Sequence, residues 1–111
     1  MYACDTTPVR FGFATVVGHS MAPTLGPGQT LLVAYGRRPV VGRLAVARFA
    51  DGTVAVKRVA ERRTRGWWLL SDNPSEGVDS RHRGAVTDAD VLAVVVARIW
   101  PRPGLLRRAS P

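Results

Sequence analysis

Apolar positions in this chain come in short runs rather than helical stripes. Residues 11–17, 30–35, 44–49, 54–60, 67–70 and 91–100 are rich in β-branched, aromatic and small apolar side chains. Each run is bounded by glycine, proline, aspartate or charged residues, which predicts strands. No stretch predicts a helix of three turns. The Asp51-Gly52 pair between residues 44–49 and 54–60 is a hairpin signal, so those two strands are expected to pair antiparallel. Residues 18–29 hold three glycines and two prolines and predict an irregular loop. Residues 71–84 form a second, polar loop, longer than most connections, where function tends to lie. Residues 87–90 start a short turn or cap. The pattern predicts an all-β domain over residues 11–101, with a flexible leader at 1–10 and a flexible basic tail at 102–111.

Composition agrees. A chain of 111 residues is one domain with a modest core. Eleven glycines and eight prolines fit many turns, and 46% hydrophobic with 22% charged residues is globular. The net charge of +8 favours anionic partners in general. The arginines are scattered over turns and the tail rather than lined on one face, so they read as solubilising, and no nucleic-acid partner is expected. The longest apolar run, residues 91–97, falls far short of the roughly twenty a spanning helix needs. The N-terminus has no secretory pattern. A soluble, cytoplasmic chain is expected, with membrane association at most peripheral. The single cysteine, Cys4, excludes an intramolecular disulfide and gives no metal-ligand spacing. With only His19 and His82 beside it, no metal or cofactor is expected.

Lys57 changes the picture. It is the only lysine, every other strong cation is arginine, and it stands inside an apolar strand. Lysine offers what arginine lacks, an accessible deprotonated state. Ser20, in the first loop, becomes a nucleophile only if a base takes its proton. His19 is adjacent, but neighbours in an extended chain point to opposite sides. His82, in the far loop, and Lys57 are the other candidates. A lysine acting near neutrality must fall from about 10.4 to roughly 7–8, on the order of 4 kcal/mol against the charged form, which burial can supply.

The stretches Gly18-His19-Ser20-Met21-Ala22-Pro23-Thr24-Leu25, Pro27-Gly28, Val56-Lys57-Arg58-Val59 and Ser71-Asp72-Asn73-Pro74, with Asp79-Ser80-Arg81 and Gly84, resemble the ordered boxes of the signal peptidase I family. They span roughly residues 16–100. The resemblance implies a coiled antiparallel sheet or partly open barrel of the signal peptidase/LexA catalytic type. It implies Ser20 as nucleophile and Lys57 as general base, with Asp72, Asn73, Asp79, Ser80 and Arg81 supporting them and Met21 and Pro23 by the substrate pocket. Trp67-Trp68-Leu69-Leu70-Ser71-Asp72-Asn73-Pro74 and the missing anchor resemble, more narrowly, the small soluble nickel-type superoxide dismutase maturation proteases. The implied partner is a precursor protein or its leader peptide.

Three positions depart from the family pattern. Gly18 stands where some members carry an oxyanion-holding hydroxyl, which leaves backbone N–H groups such as that of Ser20. Gly77 stands where many members have a serine that orients the lysine; that contact is expected to pass to Ser80 or a backbone carbonyl. Gln29 replaces the aspartate of Pro-Gly-Asp. Apart from the resemblance, Met21 reads as a core or pocket plug, Trp67 and Trp68 as sheet and core residues, Asp79 with Arg81 as an ion pair, and Cys4 as incidental. Rival readings are a generic small processing protease like signal peptidase I, a self-cleaving LexA-like repressor, disfavoured by the short stretch before Ser20, a basic β-module binding nucleic acid, and an inactive scaffold.

Overall fold

The computed structural model describes residues 10–73, 75 and 78–105. Among the described residues, seven strands form one antiparallel sheet: β1 (Arg10–Thr15), β2 (Thr30–Tyr35), β3 (Leu44–Arg48), β4 (Val54–Arg63), β5 (Gly66–Leu70), β6 (Val91–Trp100) and β7 (Gly104–Leu105). The order is β1-β2-β6-β3-β4-β5, with β7 on β6. The fold is all-β, as the apolar runs predict, and among the described residues β1 and β5 are the edges of an open sheet.

Alternation on the pleat explains the core. On β3, Leu44 and Val46 face one cluster, with Val16, Met21, Leu25, Leu31, Val33, Ala93 and Val95. Ala45 and Ala47 face the other, with Phe49, Val59, Trp67, Leu69 and Val86. A strand covered on both sides is apolar at every position, which is why residues 44–47 read as a continuous run. Ala14 of β1 and Val56 of β4 pack against the same cluster although three strands separate them in the sheet. The sheet therefore coils over itself. Register shifts within the β2/β6, β3/β6 and β4/β5 pairs supply the extra twist.

The Asp-Gly signal is met: β3 and β4 pair antiparallel from Leu44↔Arg58 to Arg48↔Val54, and Gly52 takes φ +90° in the turn. Three boundaries are corrected. β1 begins at Arg10, inside the stretch read as leader. β4 runs on to Arg63, because its last residues pair with Gly66 and Trp67 of β5 across a tight turn. The stretch read as tail begins with paired backbone, since Gly104 and Leu105 pair with Arg98 and Ala97. Cys4 and the rest of the leader, and residues 106–111, lie outside the described residues. Within residues 71–84 a one-turn helix, α1 (Ser80–Arg83), is capped by Asp79. Residues 88–90 form a 3-10 turn. Among the described residues no helix is long and apolar enough to cross a membrane.

Candidate active site

Ser20 sits in the loop that joins β1 to β2. The loop is pinned at its base, where the Val16 N–H donates to the Gln29 carbonyl and the Gly28 N–H to the Val16 carbonyl, both at 2.9 Å. It is anchored in the core by Met21 and Leu25, 1% and 0% exposed. Each such side chain contributes about 1.5–3 kcal/mol of burial. Two turns, Ala22 N–H to His19 carbonyl and Leu25 N–H to Met21 carbonyl, wind the backbone around these anchors. Ser20 itself stays half-buried.

Lys57 lies in β4 and is 2% exposed. Its Nζ donates to Ser20 Oγ at 2.9 Å and to Ser71 Oγ at 3.1 Å. Burial pulls the amine's pKa down, and the nearby Asp79 carboxylate opposes that fall. Of the three bases open at the sequence level, only Lys57 reaches the hydroxyl. His19 is exposed and offers its carbonyl to its neighbours, and His82 is exposed on α1, next to Asp79.

The segment after β5 locks the Ser20 loop in place. Asp72 accepts from Arg58 Nε at 2.8 Å and Nη2 at 2.6 Å, and from Thr24 Oγ1 at 2.5 Å. Burial pushes the Asp72 carboxyl up, but the bonds from Arg58 and Thr24, with the arginine's charge, outweigh it and hold the group below the ordinary carboxylate range. The Asn73 N–H donates to the Ser20 carbonyl at 2.8 Å and its Nδ2 to the His19 carbonyl at 3.2 Å. The Asp72 N–H points at Met21 Sδ, 3.4 Å away.

Asp79 is fully buried. It accepts from the Ser71 N–H at 2.8 Å and, at 3.0 Å each, from the Arg81 N–H, Nε and Nη2. Burial pushes its carboxyl up; the Arg81 side chain, the two N–H groups and the arginine's charge together bring it down to about 2. Asp79 and Arg81 are thus the ion pair expected of them. Ser80 Oγ, by contrast, accepts from the Leu69 N–H at 2.9 Å and is committed to the backbone of β5. The expectation that Ser80 or a carbonyl orients the lysine is therefore corrected: the second partner of Nζ is Ser71. Gly77 and Pro74 lie outside the described residues. The one sequence signal for Ser71 is alternation: it follows Trp67 and Leu69 on the buried face of β5.

Beside Ser20 a cavity of about 140 Å³ is lined by Val16, Val17, Met21, Val46, Val54 and Val56 among others. Met21 is both a core residue and part of this wall, as expected. Pro23 is exposed and does not line it. Gly18 takes φ +80°, a conformation glycine adopts without strain, with open space where a Cβ would stand. Trp67 is buried in the second core cluster, with the Arg62 guanidinium over its ring at 4.9 Å. Trp68 is half-buried under Arg63. Among the described residues no group of three His, Cys, Asp or Glu side chains is placed to hold a metal.

A segment of 36 residues is 44% identical to mitochondrial inner membrane protease subunit 1 of Schizosaccharomyces pombe, covering 32% of this chain and 23% of that protein. The chain therefore matches less than a quarter of that relative's length. A family model described as Peptidase S24-like matches residues 2–96. That match takes in most of the chain, including every strand from β1 to β5, and the chain belongs to the Peptidase S24-like family.

Proposed function

We propose that the protein is a serine endopeptidase in which Ser20 is the nucleophile and Lys57 the general base, and that it removes a leader from a precursor protein. The observation that carries the reading is the contact at 2.9 Å between Ser20 Oγ and the buried amine of the only lysine in the chain. A buried amine with a depressed pKa has an accessible neutral form, whose lone pair accepts the Ser20 proton.

In the first half-reaction Ser20 Oγ bonds to the scissile carbonyl carbon as its proton passes to Lys57 Nζ. The negative oxygen of the tetrahedral intermediate is held by backbone N–H groups, with that of Ser20 the first candidate. Collapse breaks the C–N bond, and Lys57 returns the proton to the leaving amine. In the second half-reaction water replaces the amine: Lys57 takes its proton, the hydroxide attacks the acyl-enzyme, and Ser20 leaves with the proton restored. No electron donor or acceptor enters. Asp72, Asn73, Asp79 and Arg81 hold the frame in which these atoms meet. The valine-rich cavity beside Ser20 is small, which suits a small apolar side chain next to the cleaved bond, with the peptide extended along a strand edge.

The narrower reading, that the precursor is that of a nickel-type superoxide dismutase, rests on the Trp67-to-Pro74 stretch. Incubating that precursor with the purified protein and weighing the products tests it. One new N-terminus with wild type, absent with Ser20→Ala and with Lys57→Met, is expected. Cleavage by either variant would remove the dyad; an uncut precursor alongside other cut peptides would remove only the substrate.

A further inference from the structure

The β4/β5 ladder pairs Val59 with Leu69 and Arg58 with Leu70. One more step places Ser71 opposite Lys57. Cross-strand neighbours share a face and stand about 5 Å apart at Cβ. Ser71 is 8% exposed, and its Oγ is 3.1 Å from Lys57 Nζ.

We propose that Ser71 is the positioning residue for Lys57, its hydroxyl turning the amine toward Ser20. The proposal rests on the reading of Ser20 and Lys57 given above. A lysine side chain carries about 2 kcal/mol of rotamer entropy, and a single contact leaves the amine free to pivot. The neutral amine has one lone pair and two N–H bonds. To accept the Ser20 proton the lone pair must face Ser20, so an N–H must find an acceptor elsewhere. Ser71 Oγ is that acceptor.

Ser71 is itself rigid. Its N–H donates to Asp79 Oδ2, and Asp79 is gripped by the Arg81 guanidinium and N–H. The neighbouring hydroxyl of Ser80 is committed to the Leu69 N–H. The ion pair of Asp79 and Arg81 thus acts on the amine through the backbone of residue 71. It also acts through charge, since Asp79 favours the protonated amine. The other titratable groups at hand are Arg58 and Asp72, which pair with one another, the exposed His19 on the Ser20 loop, and the exposed His82, whose Nδ1 lies 3.7 Å from Asp79 Oδ1.

Because Lys57 is the only lysine, a protein grown on lysine labelled with carbon-13 at Cε gives one lysine resonance, and its titration reads the amine directly. Ser71→Ala removes an acceptor that favours the ammonium and leaves the N–H to Asp79 intact. Its titration midpoint is expected below that of wild type. Activity is read on the best-cut member of a proteome-derived peptide library by mass spectrometry. There kcat is expected to fall about 10–100-fold with KM unchanged, and Ser71→Thr, which keeps the hydroxyl, to recover both. An unshifted midpoint together with wild-type kcat in Ser71→Ala overturns the proposal. Ser20→Ala and Lys57→Met run in the same assay keep the two failures apart. Cleavage by either sinks the dyad, whereas dead dyad variants beside a wild-type-like Ser71→Ala sink only the role of Ser71.

Discussion

Arg58 holds Asp72 by two hydrogen bonds, Nε to Oδ1 and Nη2 to Oδ2, one residue away from Lys57 on β4 and one residue away from Ser71 on the segment after β5. The same carboxylate takes the Thr24 hydroxyl from the Ser20 loop. One ion pair thus fixes three pieces of chain: the strand with Lys57, the loop with Ser20, and the segment with Ser71.

Asp72→Asn should therefore loosen all three. The two side chains are 14% and 15% exposed, so the loss lies below that of a fully buried pair, at about 2 kcal/mol. A fall in the denaturation midpoint in urea with unchanged slope is the expected reading. Arg58→Lys should not substitute, because an ammonium cannot span both oxygens. Wild-type midpoints in both variants would mean that the fork carries no weight.

Lys57→Met should be inactive and more stable near neutrality. The folded state holds the Lys57 pKa below its unfolded value, so between those two values the unfolded chain binds the extra proton. Stability rises with pH across that window, and the penalty is largest below the folded pKa and gone above the unfolded one. The advantage of Lys57→Met over wild type should therefore shrink as pH climbs toward about 10, which thermal melts across that range will follow. A gap that stays constant or widens with pH would contradict the depressed amine.

Much of this arrangement is legible in the sequence, and what is not has a physical reason. Strands at residues 30–35 and 91–100 stand where the apolar runs put them, because both are bounded by turn residues. The end of β4 is hidden because Glu61, Arg62 and Arg63 read as a turn by polarity. In an edge hairpin the outward face is polar by right, and pairing with Gly66 to Trp68 carries the strand on. The Ser20–Lys57 contact is foreseeable from one oddity of composition plus ordered motifs. The partner of Ser71 is not, since alternation gives only its face and the partner depends on ladder register. Register follows from the bulge between Val59 and Glu61, which no local pattern announces.

Asp79 should make the fold acid-sensitive in a defined window. Its carboxyl is lowered from 3.8 to about 2, so the unfolded chain takes up the proton first as pH falls. Its contribution, up to about 2 kcal/mol, is complete above the unfolded value and drains away between roughly pH 4 and pH 2. In Asp79→Asn this part of the acid slope should vanish and the lysine midpoint should drop, because the charge favouring the ammonium is gone. An unchanged acid slope in Asp79→Asn would show that other carboxylates govern the transition.

Two glycines with unlike neighbours test the packing around β5. Gly66 has φ +147°, and a Cβ there would strike the Val86 carbonyl, whose carbon would lie 2.8 Å away. Val86 cannot withdraw, because its N–H and carbonyl are both bonded to Trp67, at 2.8 and 2.7 Å. Gly66→Ala must break that bridge or strain the backbone, at a cost of about 2–4 kcal/mol. Gly12 on β1 looks equally crowded, with the Tyr35 hydroxyl 2.6 Å from where an added methyl would stand. Tyr35 is 39% exposed, though, and its ring can swing into solvent, so Gly12→Ala should cost under about 1 kcal/mol. Denaturation of the two variants side by side measures the difference. Equal losses would mean that the Trp67–Val86 bridge does not hold β5 in place, and with it the register that brings Ser71 to Lys57.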